Sequence, residues 1–285
     1  MDAVFGVGGE MRFGICNELF EGWSWMRVCG FAADLGYDSV ELAPFTVTND
    51  VRDFPAGERE RMRTEAAEAG VAIAGIHWLL VSPPGMQILS ADPAVCRAAQ
   101  EYLIALADFC GDLGAPVMVL GSPKQRRRPE GMASIDALKL FVEVLRPVAD
   151  AAASRGVTIC LEPLPASDTN FMNTLEDAAE VAAAMSHPGV ALILDMRSMG
   201  LEVTAVPTLI RRYAPLARHV HANDVNLRGP GDGPTDLLPV FRSLLESGYD
   251  GTVSVEVFDF TPSSEIIARQ SLAAMREALM AAIGT

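Results

Sequence analysis

The chain has 285 residues, half of them hydrophobic, and a formal net charge of −15. That length and apolar content suit one large α/β core, since barrels of this class run to ~250 residues as a single domain. The acidic balance argues against a nucleic-acid surface, which needs a basic face, but local basic groups still leave room for a small anionic substrate.

Residues 1–10 read as an N-terminal tail, with the barrel spanning 11–285. The Gly6-Val7-Gly8-Gly9 run precedes the first strand, so it is no dinucleotide cradle. A first strand is expected near Met11–Cys16 and a first helix over Ser24–Leu35, stopped by Gly36. The second unit pairs Ser39–Leu42 with a helix over Gly57–Ala69, ending at Gly70. Val71–His77 is the third strand. Asp92-Pro93 is a cap followed by a first-turn proline, opening a helix that runs to Leu113. Val117–Leu120 and a helix over Ser134–Arg155 complete the first half.

The second half repeats the plan. A strand ends at Glu162, with a helix from Asn173 or Thr174. The next ends at Asp195, with a helix over Ala205–Tyr213. A third ends at His221, with a helix from Thr235 or Asp236 to Gly248. The last ends near Val257, and the closing helix starts at Ser263 or Ser264. Eight βα units at this length give a (β/α)8 TIM barrel in a single domain. A doubly wound sheet fits less well, because no GxGxxG follows the first strand.

The decisive pattern lies at four strand ends. Val157-Thr158-Ile159-Cys160-Leu161 ends in Glu162, and Val190-Ala191-Leu192-Ile193-Leu194 ends in Asp195. Arg218-His219-Val220 ends in His221, and Val253-Ser254-Val255 ends in Glu256. Ligand-type side chains at the C-terminal ends of four successive barrel strands converge on one point. Three carboxylates crowded together repel one another unless a cation neutralises them. Three carboxylates and one imidazole make a hard, oxygen-rich site for one divalent ion.

The set Leu161-Glu162-Pro163, Leu194-Asp195-Met196, Val220-His221-Ala222-Asn223-Asp224 and Val255-Glu256-Val257 resembles the xylose isomerase-like TIM barrel superfamily. Its nearest likeness there is the sugar phosphate isomerase/epimerase group of ketose 3-epimerases and inosose isomerases. The resemblance implies that Glu162, Asp195, His221 and Glu256 hold one Mn²⁺, Mg²⁺ or Co²⁺. It also implies that Glu162 and Glu256 form the acid–base pair of an isomerase or epimerase working on a small keto-sugar or polyol. A homodimer or homotetramer is implied as well. A dehydratase of inosose or dehydroshikimate type stands as an alternative on the same scaffold, as does a non-catalytic sugar-binding protein.

Further substrate contacts are expected around this set. His77 closes the third strand, where such barrels often carry a substrate-binding histidine, and Trp78 beside it offers a pocket wall. Glu41 ends the second strand and suits a substrate hydroxyl or the support of a ligand. Asp168 lies in the loop after Glu162. Lys124 and Arg126 belong to the one basic cluster of the chain, and guanidinium forks suit anionic groups. Ketose epimerases carry a histidine three residues after the strand-six aspartate, where Ser198 stands here. Their arginine after the strand-seven histidine is replaced by Asn226 and Leu227, with Arg228 close by. Asp224 is expected to orient the metal site.

Five scattered cysteines without a CxxC pair suit a reducing compartment. Residues 1–10 lack the form of a signal peptide, and no apolar run approaches the ~20 residues of a membrane span. A cytoplasmic protein with neither nucleic-acid nor membrane partners is expected.

Overall fold

A computed structural model describes residues 11–284, so the tail expected at residues 1–10 lies outside the described residues. Eight short strands form a closed barrel in chain order: β1 (Arg12–Cys16), β2 (Ser39–Leu42), β3 (Ala72–Ile76), β4 (Val117–Leu120), β5 (Thr158–Leu161), β6 (Val190–Asp195), β7 (Ala217–Ala222) and β8 (Thr252–Val255). Every pairing is parallel, including β1 with β8. Strands covered on both faces need unbroken apolar runs, which is what VMVL and VALIL supply.

The outer ring is α1 (Trp25–Leu35), α2 (Ala56–Ala69), α3 (Pro93–Asp112), α4 (Ser134–Ser154), α5 (Leu175–Met185), α6 (Met196–Gly200), α7 (Val206–Tyr213), α8 (Leu237–Glu246) and α9 (Ser264–Ile283). Their starts follow local capping chemistry. Asp92 accepts from the Ala94 amide ahead of Pro93, and Thr174 with Asp177 forms a reciprocal capping box at α5. Gly36 and Gly70 end α1 and α2 in the left-handed conformation. No helix among the described residues is long and apolar enough to cross a membrane.

One element departs from the sequence expectation. The chain turns into α6 directly after β6, with Asp195 as its cap accepting from the Ser198 amide. Five residues are too few for an apolar period to register in the sequence.

The barrel interior is divided. Val117, Val119, Cys160, Ala191 and Ile193 fill the side under β4, β5 and β6. Across from them Gly14 faces Ser39 and Ser254, an interior of small and polar groups. Gly75 sits where the β2–β3 register shifts, beside Glu41. A Cβ there would lie 2.6 Å from Val117 Cγ2 and 2.9 Å from the Val117 carbonyl oxygen. The backbone oxygen has nowhere to go. Gly75→Ala is therefore expected to destabilise the barrel by about 1–3 kcal/mol, the usual range for overpacking. Differential scanning calorimetry should show Tm lowered by several degrees, and an unchanged Tm would mean that the two strands separate freely.

Candidate metal centre

Glu162, Asp195, His221 and Glu256 leave the C-terminal rim of β5, β6, β7 and β8 and meet. One ligand atom from each lies within 4.8 Å of the others, and all four residues are buried. Period-two alternation along each strand explains the convergence, since one face of each strand looks into the barrel.

Each donor is held from behind. Asp195 Oδ1 accepts from the Ser198 amide and its Oδ2 from Asn223 Nδ2, both at 2.7 Å. Burial, then the neighbouring Glu162, push the Asp195 carboxyl above its ordinary range. Asn223 Nδ2 also lies 3.4 Å from Glu256 Oε2, and Asn223 Oδ1 accepts from the Arg197 amide. His221 Nε2 contacts Glu41 Oε1 at 3.2 Å, which leaves Nδ1 facing the carboxylates of Glu162 and Glu256. Glu162 Oε2 lies against Gly121, where a Cβ would stand only 2.0 Å away.

A second layer of charge lies beneath. Glu41 is fully buried among His77, His219 and His221, with His219 Nε2 at 2.7 Å. Burial alone would raise its pKa, but the three imidazoles hold it well below the ordinary carboxylate range. Burial opposes charge on His77, yet Glu18 at 2.9 Å and Glu41 push its pKa up to about 9.

The residues present fit a divalent cation. Among the described residues no arginine or lysine pairs with the three carboxylates, and His221 is the cationic group they share. His221 Nδ1 lies 3.1 Å from Glu256 and 3.6 Å from Glu162, yet makes no well-formed hydrogen bond there. A buried polar atom without a partner is costly, and a ligand bond would satisfy it. The carboxylates raise the affinity of His221 for a proton well above the ordinary value despite burial. A metal would displace that proton.

The cluster opens into a cavity of about 260 Å³. Glu162, Glu256, His77, Trp78, Asp168 and Arg197 stand on its wall. Trp78, Ser122 and Leu227 also line it, each with a positive φ of 54°, 46° and 71°. These are three of the five non-glycine residues in that strained region among those described. Such strain concentrates at functional sites.

The xylose isomerase-like TIM barrel model matches residues 29–278. The chain belongs to that family. A ketose 3-epimerase of Arthrobacter globiformis is 27% identical over 241 residues, covering 82% of this chain and 76% of that protein. The 3-dehydro-D-guloside 4-epimerase of Escherichia coli (strain K12) is 30% identical over 251 residues, covering 86% and 92%. Among solved structures, an L-ribulose 3-epimerase covers 96% of both chains with a TM-score of 0.85 at 22% identity, a likeness of fold.

Within this xylose isomerase-like frame several expected contacts move. Arg126 is fully buried, and its guanidinium donates to the carbonyls of Leu120, Glu162 and Met172. It braces the ends of β4 and β5 and does not line the cavity. Burial lowers its pKa to about 10, although Glu162 works the other way. Lys124 is exposed and off the cavity wall. Glu41 supports histidines from below. Ser198 donates its amide to the cap Asp195 and lines a separate cleft instead of the cavity. Asn226 bonds to Asp232 within its own loop, and Arg228 pairs with Asp232 there and with Asp259 and Thr261 in the loop after β8. Asp224 accepts from Thr235 and holds that loop, so Asn223, not Asp224, orients the carboxylates of the cluster.

Asn223 and Arg197 were missed. The alternation that turns His221 inward does the same for Asn223, so parity could have found it. Arg197, paired with Asp168 at 3.0 Å, comes from the unforeseen α6.

Gly121 gives a separable test. Its neighbour is the tip of a flexible glutamate, so Gly121→Ala should fold with near-native Tm while displacing Glu162. Calorimetric titration with Mn²⁺ should show affinity about 10–100-fold weaker, the size of loss typical when a ligand's setting is disturbed. Unchanged affinity would remove Glu162 from the ligand set.

Proposed function

We propose that this chain is a divalent-metal-dependent epimerase or isomerase of a small keto-sugar, with Glu162, Asp195, His221 and Glu256 as metal ligands. Glu162 and Glu256 double as the acid–base pair. The observation that carries this reading is that these two carboxylates belong to the four-donor cluster and also stand on the cavity wall. They arrive from β5 and β8, with β6 and β7 between them around the ring, and so reach the cavity from different sides. The names of the relatives, which are sugar epimerases, agree with it.

The chemistry asks for a base, an acid and a way to stabilise charge. A proton on the carbon next to a carbonyl is weakly acidic. A bound divalent cation would act as a Lewis acid toward oxygens of the substrate and favour that proton's loss. Glu256 takes the proton from one side. Glu162 returns one from the other, which inverts the carbon. Return to the neighbouring carbon would interchange aldose and ketose instead. Both carboxylates need to be within hydrogen-bond reach of the reacting carbon. His77, held as a cation by Glu18 and Glu41, lends positive charge to the cavity wall on which it stands. The Arg197–Asp168 pair presents a donor and an acceptor on the wall. Trp78 and Phe258 shed water from the apolar face of the sugar.

Two outcomes test the reading together. Turnover of a keto-sugar in D₂O should place one solvent deuterium on the inverted carbon without loss of water from the product. Glu256→Gln, assayed at saturating Mn²⁺, should stay folded and turn over about 10³-fold more slowly, within the range of a lost general base. A product lacking one water would make the chain a dehydratase, and a near-native rate in the variant would end the acid–base assignment.

A further inference from the structure

The basic run Arg126-Arg127-Arg128 has no place on the cavity wall, and all three residues are spent on the loop that follows β5. Arg126 reaches both ends of that loop, donating to the carbonyls of Glu162 and Met172. Arg127 Nη2 donates to the Asp168 carbonyl at 3.4 Å. At Arg128 the backbone makes the tie. Its amide donates to Asn170 Oδ1 at 2.7 Å, and its carbonyl accepts from Asn170 Nδ2 at 3.0 Å. The run is itself anchored. The Ser122 carbonyl accepts from the Gln125 and Arg126 amides, and the Gln125 carbonyl accepts from the amide of buried Ile88.

The loop so held fills the thirteen positions between β5 and α5. Connections of this kind usually take ~2–6 residues, and long ones tend to carry function. Its neck is closed by the Leu164 amide on the Met172 carbonyl, and Asn173 Nδ2 crosses to the carbonyls of Leu164 and Thr169. Met172 holds a positive φ of 59° there, a strain that persists only where the surroundings impose it. The loop carries Asp168 to the cavity wall, with the Asp168 amide bonded to the Pro165 carbonyl. Asp168 Oδ2 accepts from Arg197 and Oδ1 from Ser167. A carboxylate offers about four acceptor positions, so these two bonds leave room for a substrate hydroxyl.

We propose that Asn170 is a positioning residue of the active site: clasped on Arg128, it holds this loop so that Asp168 meets a substrate hydroxyl in the cavity. Asn170 is off the cavity wall and acts through Asp168 alone. Two hydrogen bonds from one side chain to both polar groups of one residue fix direction as well as distance, which is what a loop-borne ligand needs. The contact of Asp168 with substrate rests on the epimerase reading; the clasp rests on the geometry of the loop.

Asn170 is exposed, so Asn170→Ala should fold with near-native Tm and native affinity for Mn²⁺. It is assayed on the full chain at saturating Mn²⁺ with D-fructose or D-tagatose, whichever the native protein turns over faster. KM should rise about tenfold, the size of two lost hydrogen bonds, at nearly unchanged kcat, the mark of binding lost equally by substrate and transition state. Asn170→Asp keeps an acceptor for the Arg128 amide and should fall in between. Asp168→Ala should raise KM at least as far, and adding Asn170→Ala to it should raise KM no further, because the clasp then has nothing left to position. Hydrogen exchange read by mass spectrometry reports on the loop without turnover. Peptides across residues 164–173 should exchange about tenfold faster in Asn170→Ala, with native rates elsewhere. Unchanged exchange, turnover with an unchanged KM, or an Asn170→Ala effect that persists in full beside Asp168→Ala would overturn the proposal and spare the epimerase reading. Faster loop exchange in a chain whose native form turns over neither ketose would sink that reading, and the role of Asn170 in it, while the clasp stands.

Discussion

Carboxylates crowded into one buried site repel each other, and this barrel brings Glu162, Asp195 and Glu256 into that position with only an imidazole between them. The rest of the rim is organised around this tension. Asn223 reaches two of the acids at once. Gly121 gives up a side chain so that Glu162 can occupy its place. Glu41 turns His221 so that one nitrogen looks down and the other looks at the acids. Hydrogen bonds of this kind orient the acids but do not cancel their charge. A divalent cation does both.

The buried charge beneath the ligands follows from the same constraint. A lone Glu41 at that depth would be costly, and three lone imidazoles would fare little better. Interleaved, they form a compensated network running from Glu18 through His77 and Glu41 to His219 and His221. Small interior residues make space for it, with Gly14, Ser39 and Ser254 on one side of the barrel and Val117, Val119 and Ile193 packing the other. Strong pairing lies below the rim, and strained backbone at Trp78, Ser122 and Leu227 lies above it, where the surrounding packing must hold it.

What the sequence made legible was set by period. Strand ends are read from apolar runs, and alternation decides which side chain turns inward, so the convergence of Glu162, Asp195, His221 and Glu256 is legible in the sequence. Helix ends were legible where a glycine or an N-cap marks them. Loop side chains have no such ruler. Arg126 looked like an anion ligand because basic clusters usually face solvent or substrate, yet it folds back onto three carbonyls that only the tertiary structure brings near. Asn226 closes its own turn, and Arg228 ties that turn to the loop after β8, a neighbour that only the tertiary structure supplies. Arg197 escaped notice because a five-residue helix leaves no pattern in sequence. Glu41 and His219 could be placed inward by parity, but their partnership spans 178 residues of chain and depends on barrel closure.

The central claim is that one cation sits among these four side chains. Pulsed electron paramagnetic resonance of the Mn²⁺-loaded protein tests it most directly, because a directly bound imidazole nitrogen modulates the signal. One Mn²⁺ per chain should show coupling to a single histidine nitrogen, and that coupling should vanish in His221→Ala. Manganese without nitrogen coupling, or coupling that persists in that variant, would place the ion elsewhere and contradict the account.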